Sequence, residues 1–186
     1  MSVVRSFIAL PTTPSIKEQL SAIVSELRQV NADVKWDTSE KFHITLKFLG
    51  NVESQLLENL IAALRQMSSR RSFELTYESL GGFPDLVRPR VVWVGTSPSA
   101  EALSLQKSVE EVCSRFGFPK EDREFHPHIT LGRVKGSRNI HRLTDSLKSI
   151  MLQPITSRCT ELLVMRSDLH QSGSVYSVVA SIPLQS

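Results

Sequence analysis

Two stretches decide the reading: Phe42-His-Ile-Thr-Leu-Lys-Phe-Leu-Gly50 and, in the second half of the chain, Phe125-His-Pro-His-Ile-Thr-Leu-Gly-Arg133. Both contain His-Ile-Thr-Leu, at 43–46 and 128–131. A lone His-x-Thr means little, because both residues are common in strands. By composition, recurrence of one four-residue string in a chain of this size has odds of roughly one in a thousand. In a strand, side chains at i and i+2 share a face. His43 and Thr45 therefore point one way, and Phe42, Ile44, Leu46 and Phe48 point into an apolar layer. His128 and Thr130 share a face opposite Ile129 and Leu131 in the same manner. If the two strands lie side by side, two imidazoles and two hydroxyls converge. The plain alternative is two half-buried strands whose histidines only make structural hydrogen bonds.

Outward from these stretches, strand and helix patterns alternate without a long linker. Residues 3–10 read as a strand ended by Pro11, and 15–30 as an amphipathic helix with Ile16, Leu20, Ile23, Val24 and Leu27 at helical spacing. The strand at 42–49 is expected to stop at Gly50-Asn51, a turn signal. A helix over 53–68 and strands at 73–80 and 90–95 follow, the strands separated by Gly81-Gly82-Phe83-Pro84. The second half brings a helix over 99–116, a strand over 125–134, a helix over 139–151 and strands near 155–166 and 174–182. Helices set among strands without a parallel βαβ rhythm predict an α+β fold with antiparallel or mixed sheets. One motif copy per half makes a duplicated pair of lobes attractive.

Composition excludes several classes. Of the 186 residues, 40% are hydrophobic and 22% charged, a globular balance rather than a disordered one. No apolar run approaches the roughly 20 residues that span a bilayer. The start of the chain reads as a strand rather than a signal peptide. Cys113 and Cys159 have no metal-like spacing and are expected as small buried side chains, which makes a cytoplasmic location the default. A net charge of +3 suits an anionic substrate without identifying a nucleic-acid binder.

The quartet suits phosphodiester chemistry. One neutral imidazole can take a proton from water and one imidazolium can give a proton to a leaving oxygen, since the ordinary pKa of about 6.5 allows both states. Two threonine hydroxyls can donate hydrogen bonds to phosphate oxygens. No His/Cys/Asp/Glu spacing organises a metal site, so neither metal nor cofactor is expected.

The paired motifs resemble those of the 2H phosphoesterases. Their contexts narrow the resemblance to the bacterial and archaeal RNA 2′,3′-cyclic phosphodiesterases of the LigT type, also called 2′-5′ RNA ligase-like proteins. Beyond the two stretches above, those contexts are Arg5-Ser-Phe7-Ile-Ala, Gly82-Phe-Pro84 and Arg88-Pro-Arg90-Val-Val-Trp93. The resemblance implies one domain over 1–186, made of two intertwined pseudo-symmetric lobes around a central groove. It implies metal-independent hydrolysis of a terminal 2′,3′-cyclic phosphate, on an RNA end or a nucleoside, to a 2′-phosphomonoester. His43 would be the proton donor, His128 the proton acceptor, Thr45 and Thr130 the phosphate holders and Arg133 a phosphate ligand. Run in reverse, the reaction would give 2′-5′ ligation. A monomer with no membrane partner is expected. The alternatives keep the quartet on another nucleotide or RNA-end substrate, or make the groove a binding module without turnover.

Other residues stay open between two readings. Arg133 has the wrong strand parity for the His128 face unless a bulge or strand end after Gly132 reverses it. Lys47 has His43's parity, so it either lines the groove rim or is solvated. His126 reads as structural or as a support behind His128. Phe7 and Phe83 either stack on a base or pack in the core. Arg88 and Arg90 either touch a nucleic-acid backbone or sit solvated in a turn. His141 and His170 read as exposed, and the basic run 133–138 could steer an RNA end toward the site.

Overall fold

The computed structural model describes residues 2–171 and 173–186. A continuous apolar run produces β1 (Val3–Pro11), whose central residues Phe7 to Leu10 are buried on both faces of the sheet. Pro14 opens α1 (Pro14–Arg28), which buries the five apolar residues expected of it. The short β2 (Val34–Trp36) leads to β3 (His43–Glu53), which carries the first motif and runs through Gly50-Asn51 instead of stopping there. Gly50 takes φ of 71°, a conformation that costs glycine little, and β1 stays paired with β3 on both sides of it. Then come α2 (Ser54–Leu64), continued by a 3₁₀ turn over Arg65–Ser69, β4 (Phe73–Phe83) and β5 (Val91–Thr96).

In α3 (Ala100–Arg115) the Ser99 hydroxyl caps the first turn by accepting from the Ala102 N–H at 3.1 Å. The second motif opens β6 (His128–Val134), and residues 125–127 before it are not strand. After α4 (Ile140–Ser149), the region expected as one strand near 155–166 is two, β7 (Ile155–Cys159) and β8 (Glu161–His170), followed by β9 (Gly173–Pro183).

Among the described residues nine strands join one sheet in the order β7-β4-β5-β6-β3-β1-β8-β9, with these strand pairs antiparallel and β2 against the C-terminal part of β6. The fold is α+β, a curled antiparallel sheet with flanking helices arranged as two lobes. The lobes meet at β3 and β6, which pair through one rung, Ile44 with Ile129. These are the same position of the two tetrapeptides. An antiparallel rung between equivalent residues is what a two-fold axis passing between the strands produces. On either side of the axis the order β3-β1-β8-β9 mirrors β6-β5-β4-β7.

The main core gathers Ile8, Leu10, Ile44, Leu46, Val92, Val94, Ile129 and Leu131 with the apolar faces of the helices. Cys113 and Cys159 are both free and buried in it, as expected. A small second cluster, Phe7, Ala9 and Met165 with Leu163 and Tyr176 against it, lies on the other face of β1.

Candidate active site

The rung at Ile44 and Ile129 sets the geometry. In an antiparallel pair it places His43 beside Thr130 and Thr45 beside His128, all four on the face away from the isoleucines. All four line one groove of about 910 Å³. The quartet read from the sequence is thus brought together by the fold.

Each motif then bulges at its leucine. Lys47 pairs with Ile8 and Thr45 with Ala9, which leaves Leu46 without an opposite residue. Val92 pairs with Gly132 and Trp93 with Thr130, which leaves Leu131 without one. A bulge shifts strand parity by one residue. This resolves the conflict over Arg133: it faces the groove with His128 and Thr130, the bulge lying one residue before the expected place. The same shift overturns the expectation for Phe48, which leaves the apolar layer and stands 62% exposed in the groove.

Lys47 turns toward the helices. It is 3% exposed, donating to Glu110 Oε2 at 2.8 Å and to the Pro119 carbonyl at 2.5 Å, so it lines the groove from a buried position and is not solvated.

His43 sits in an aromatic box. Phe7 stacks on its ring at 4.8 Å between centroids, and Tyr176 meets it edge-on at 5.4 Å. Nε2 lies 3.1 Å from Thr45 Oγ1, and the ring also bonds the backbone of Lys41. Burial removes water from the imidazolium and lowers the pKa to about 4, and the nearby His128 acts in the same direction. His128 is set differently. Its Nδ1–H donates to the His126 carbonyl at 2.7 Å, leaving Nε2 as an unprotonated acceptor in the neutral ring. Phe83 meets the ring edge-on at 4.9 Å and Trp93 lies at 6.3 Å. Its pKa is lowered, mainly by burial; the hydrogen bond to the His126 carbonyl opposes this, and the charges of His126 and Arg133 add to it. The Trp93 ring occupies the space over Gly81, where a Cβ would lie 2.2 Å from it, so the wall beside His128 requires glycine there.

Several groove residues were not singled out in the sequence. Asp37 and Lys41 form an ion pair at 3.6 Å, and the Lys41 ammonium lies 5.9 Å from the centre of the Tyr176 ring. Burial pushes the Asp37 carboxyl up, against the opposing pull of Lys41 and Arg133. Gln106 and Glu110, joined at 3.2 Å, are buried on α3 and form the seat of Lys47. Two polar residues at i and i+4 within the apolar stripe of a helix were the available signal for that pair.

Among the other expectations, Phe7 packs beneath His43 and Phe83 lines the groove. His126 acts through its backbone carbonyl, while its side chain also lines the groove. Arg90 lines the groove, whereas Arg88 is exposed in the 85–88 turn, its N–H donating to Asp85 at 2.9 Å. Of the basic run 133–138 only Arg133 is a lining residue, and His141 and His170 are exposed. Among the described residues no three His, Cys, Asp or Glu side chains cluster in a metal-holding group, and no helix is long and apolar enough to cross a membrane.

The model of the LigT-like phosphoesterases matches this chain twice, over residues 10–93 and 94–176, once for each motif. The chain belongs to the LigT-like phosphoesterase family. The double match agrees with the two-fold relation of β3 and β6. Among relatives of this phosphoesterase, an RNA 2′,3′-cyclic phosphodiesterase of Methanothermobacter thermautotrophicus is 31% identical over 176 residues, covering 94% of this chain and 95% of the relative. One from Aquifex aeolicus is 32% identical over 185 residues, covering 96% of each. The fold matches that of E. coli LigT in its complex with 3′-AMP, with a TM-score of 0.82, 23% identity and full coverage of both chains.

Proposed function

We propose that this phosphoesterase hydrolyses a 2′,3′-cyclic phosphate at an RNA end or on a nucleoside, without a metal ion, to a 2′-phosphomonoester. The observation that carries the reading is the Ile44–Ile129 rung, which faces two His-x-Thr pairs across one groove. The names of the relatives support the substrate class.

In this reading His128 is the base. Its Nδ1–H is held by the His126 carbonyl, so the Nε2 lone pair is free to take a proton from water. The water oxygen attacks phosphorus, the bond from phosphorus to O3′ breaks, and His43 as imidazolium protonates O3′. Thr45 and Thr130 donate hydrogen bonds to the non-bridging oxygens, and the Arg133 guanidinium matches the phosphate charge. With its pKa at about 4, His43 is neutral in the free groove at pH 7. The phosphate anion favours the imidazolium beside it, so substrate binding charges the acid. A 5′-hydroxyl attacking in place of water would leave a 2′-5′ phosphodiester and a free 3′-hydroxyl.

The test is turnover of a 2′,3′-cyclic mononucleotide in excess chelator. A 2′-phosphate product supports the reading. No product at any pH overturns the activity, and a strict need for added metal overturns the mechanism.

A further inference from the structure

Phe48 is the one aromatic side chain that the β3 bulge turns out of the apolar layer, and it is 62% exposed although it lies on a strand with core residues on both sides. It occupies the position in β3 that Arg133 occupies in β6, two residues past the tetrapeptide in each case. It is paired with Phe7, the rings 6.1 Å apart, and Phe7 in turn stacks on His43. An apolar ring exposed inside a groove offers a ligand surface whose burial is favourable.

The wall next to it is held in place. Lys47, the neighbouring residue, is buried and ties the Pro119 carbonyl to Glu110, which fixes the start of the 119–126 loop against β3. That loop contributes Arg123 and Phe125 to the same groove. At about 910 Å³ the groove is near the upper end of the size of small-molecule sites, roughly 300–1,000 Å³. The quartet and Arg133 account for one phosphate. They leave the Phe48 end without a role.

The geometry points to a second nucleotide subsite at that end: Phe48 is the stacking platform for the base of the nucleotide that precedes the cyclic phosphate end, with Arg123 as the cation beside it. This rests on the cyclic phosphodiesterase reading and adds the side chain by which the site would tell an RNA strand from a free cyclic mononucleotide. Aromatic rings serve single strands in this way because every base has a face to stack.

The experiment compares kcat/KM on a dinucleotide ending in 2′,3′-cyclic phosphate with kcat/KM on the cyclic mononucleotide. The measured quantity is the ratio of the two. The wild-type enzyme is expected to favour the dinucleotide by roughly 5- to 150-fold, the range of one base stack. Phe48→Ala should bring the ratio close to one, and Phe48→Trp should keep it. Arg123→Gln should lower the ratio by a smaller factor. Thermal melting of each variant checks folding, which an exposed side chain should not disturb. A wild-type ratio near one, or a ratio unchanged in Phe48→Ala, overturns the subsite while leaving the phosphodiesterase reading intact. Lack of turnover on both substrates overturns that reading and the subsite with it.

Discussion

The two motif strands carry the same four residues and the same bulge, and they differ in what closes over them. Around His43 the enclosure is aromatic: Phe7 beneath, Tyr176 at the edge, and Lys41 paired with Asp37 beside it. Around His128 the rings are Phe83 at the edge and Trp93 farther off, with the His126 carbonyl on Nδ1 and the Arg133 cation on the same strand face. Past the bulge, β3 presents Phe48 where β6 presents Arg133. A duplicated strand thus gives two equivalent imidazoles, and the unduplicated neighbours give them different surroundings, on which the proposed division of roles rests. The comparison teaches that the tetrapeptide sets position, while the residues packed on it set protonation and ligand class.

The largest expected effect would show that both copies are needed. His43→Ala and His128→Ala should each lower kcat by at least about 100-fold, because general acid and general base each contribute roughly 10²–10⁴. Steady-state rates on a cyclic mononucleotide measure this. Near-wild-type turnover in either variant would show that its strand has lost the assigned role.

The next effect tests what holds the β3 bulge. Lys47→Met leaves Glu110 buried without its cation at 2.8 Å, and removing one partner of a buried pair costs about 3–5 kcal/mol. Denaturant unfolding should show a loss of that order. A loss below about 1 kcal/mol would mean that the pair is dispensable. The equivalent position in β6 is Gly132, where a Cβ would lie 2.8 Å from atoms of Trp36 and Val34, so here too the copies have parted.

A smaller effect belongs to Arg133. Hydrogen bonds to charged groups are worth about 1.5–3 kcal/mol, so Arg133→Gln should reduce kcat/KM by roughly 10- to 100-fold. Lysine should rescue it only in part, because it lacks the planar fork. If Arg133→Gln leaves kcat/KM unchanged, the guanidinium does not reach the phosphate.

Much of this was legible in the sequence. Richness in Val, Ile and Phe located β1, alternation located β3, and the repeated tetrapeptide located the quartet. The bulges were not legible, since a bulge depends on the register with β1 and β5, which no local pattern carries. Phe48 was therefore read into the core, Lys47 was left open between groove and solvent, and Arg133 was left unsettled between parity and resemblance. The Asp37–Lys41 pair and Tyr176 escaped notice for a related reason. They reach the groove from a short segment before β3 and from β9, and only the sheet order brings those together.

The finest contrast between the copies is in titration. His43 is held at about 4 against an ordinary 6.5, so the native state resists a proton that the unfolded chain accepts between those values. The sign follows: His43 contributes its full stability above pH 6.5, and that contribution is lost as the pH falls toward 4. Below 4 both states are protonated and the loss levels off. If fully realised, the gap corresponds to about 3 kcal/mol.

Ring-proton NMR titration of the free enzyme should place His43 near 4 and His128 below its ordinary 6.5. Adding inorganic phosphate should move His43 upward, because an anion beside the ring stabilises the imidazolium. An His43 that titrates at 6.5 in the empty groove would mean that the Phe7 and Tyr176 enclosure does not tune it. One that ignores phosphate would mean that substrate binding does not charge the acid. In that case the proton would have to come from elsewhere, and the division of roles between the two copies would fail.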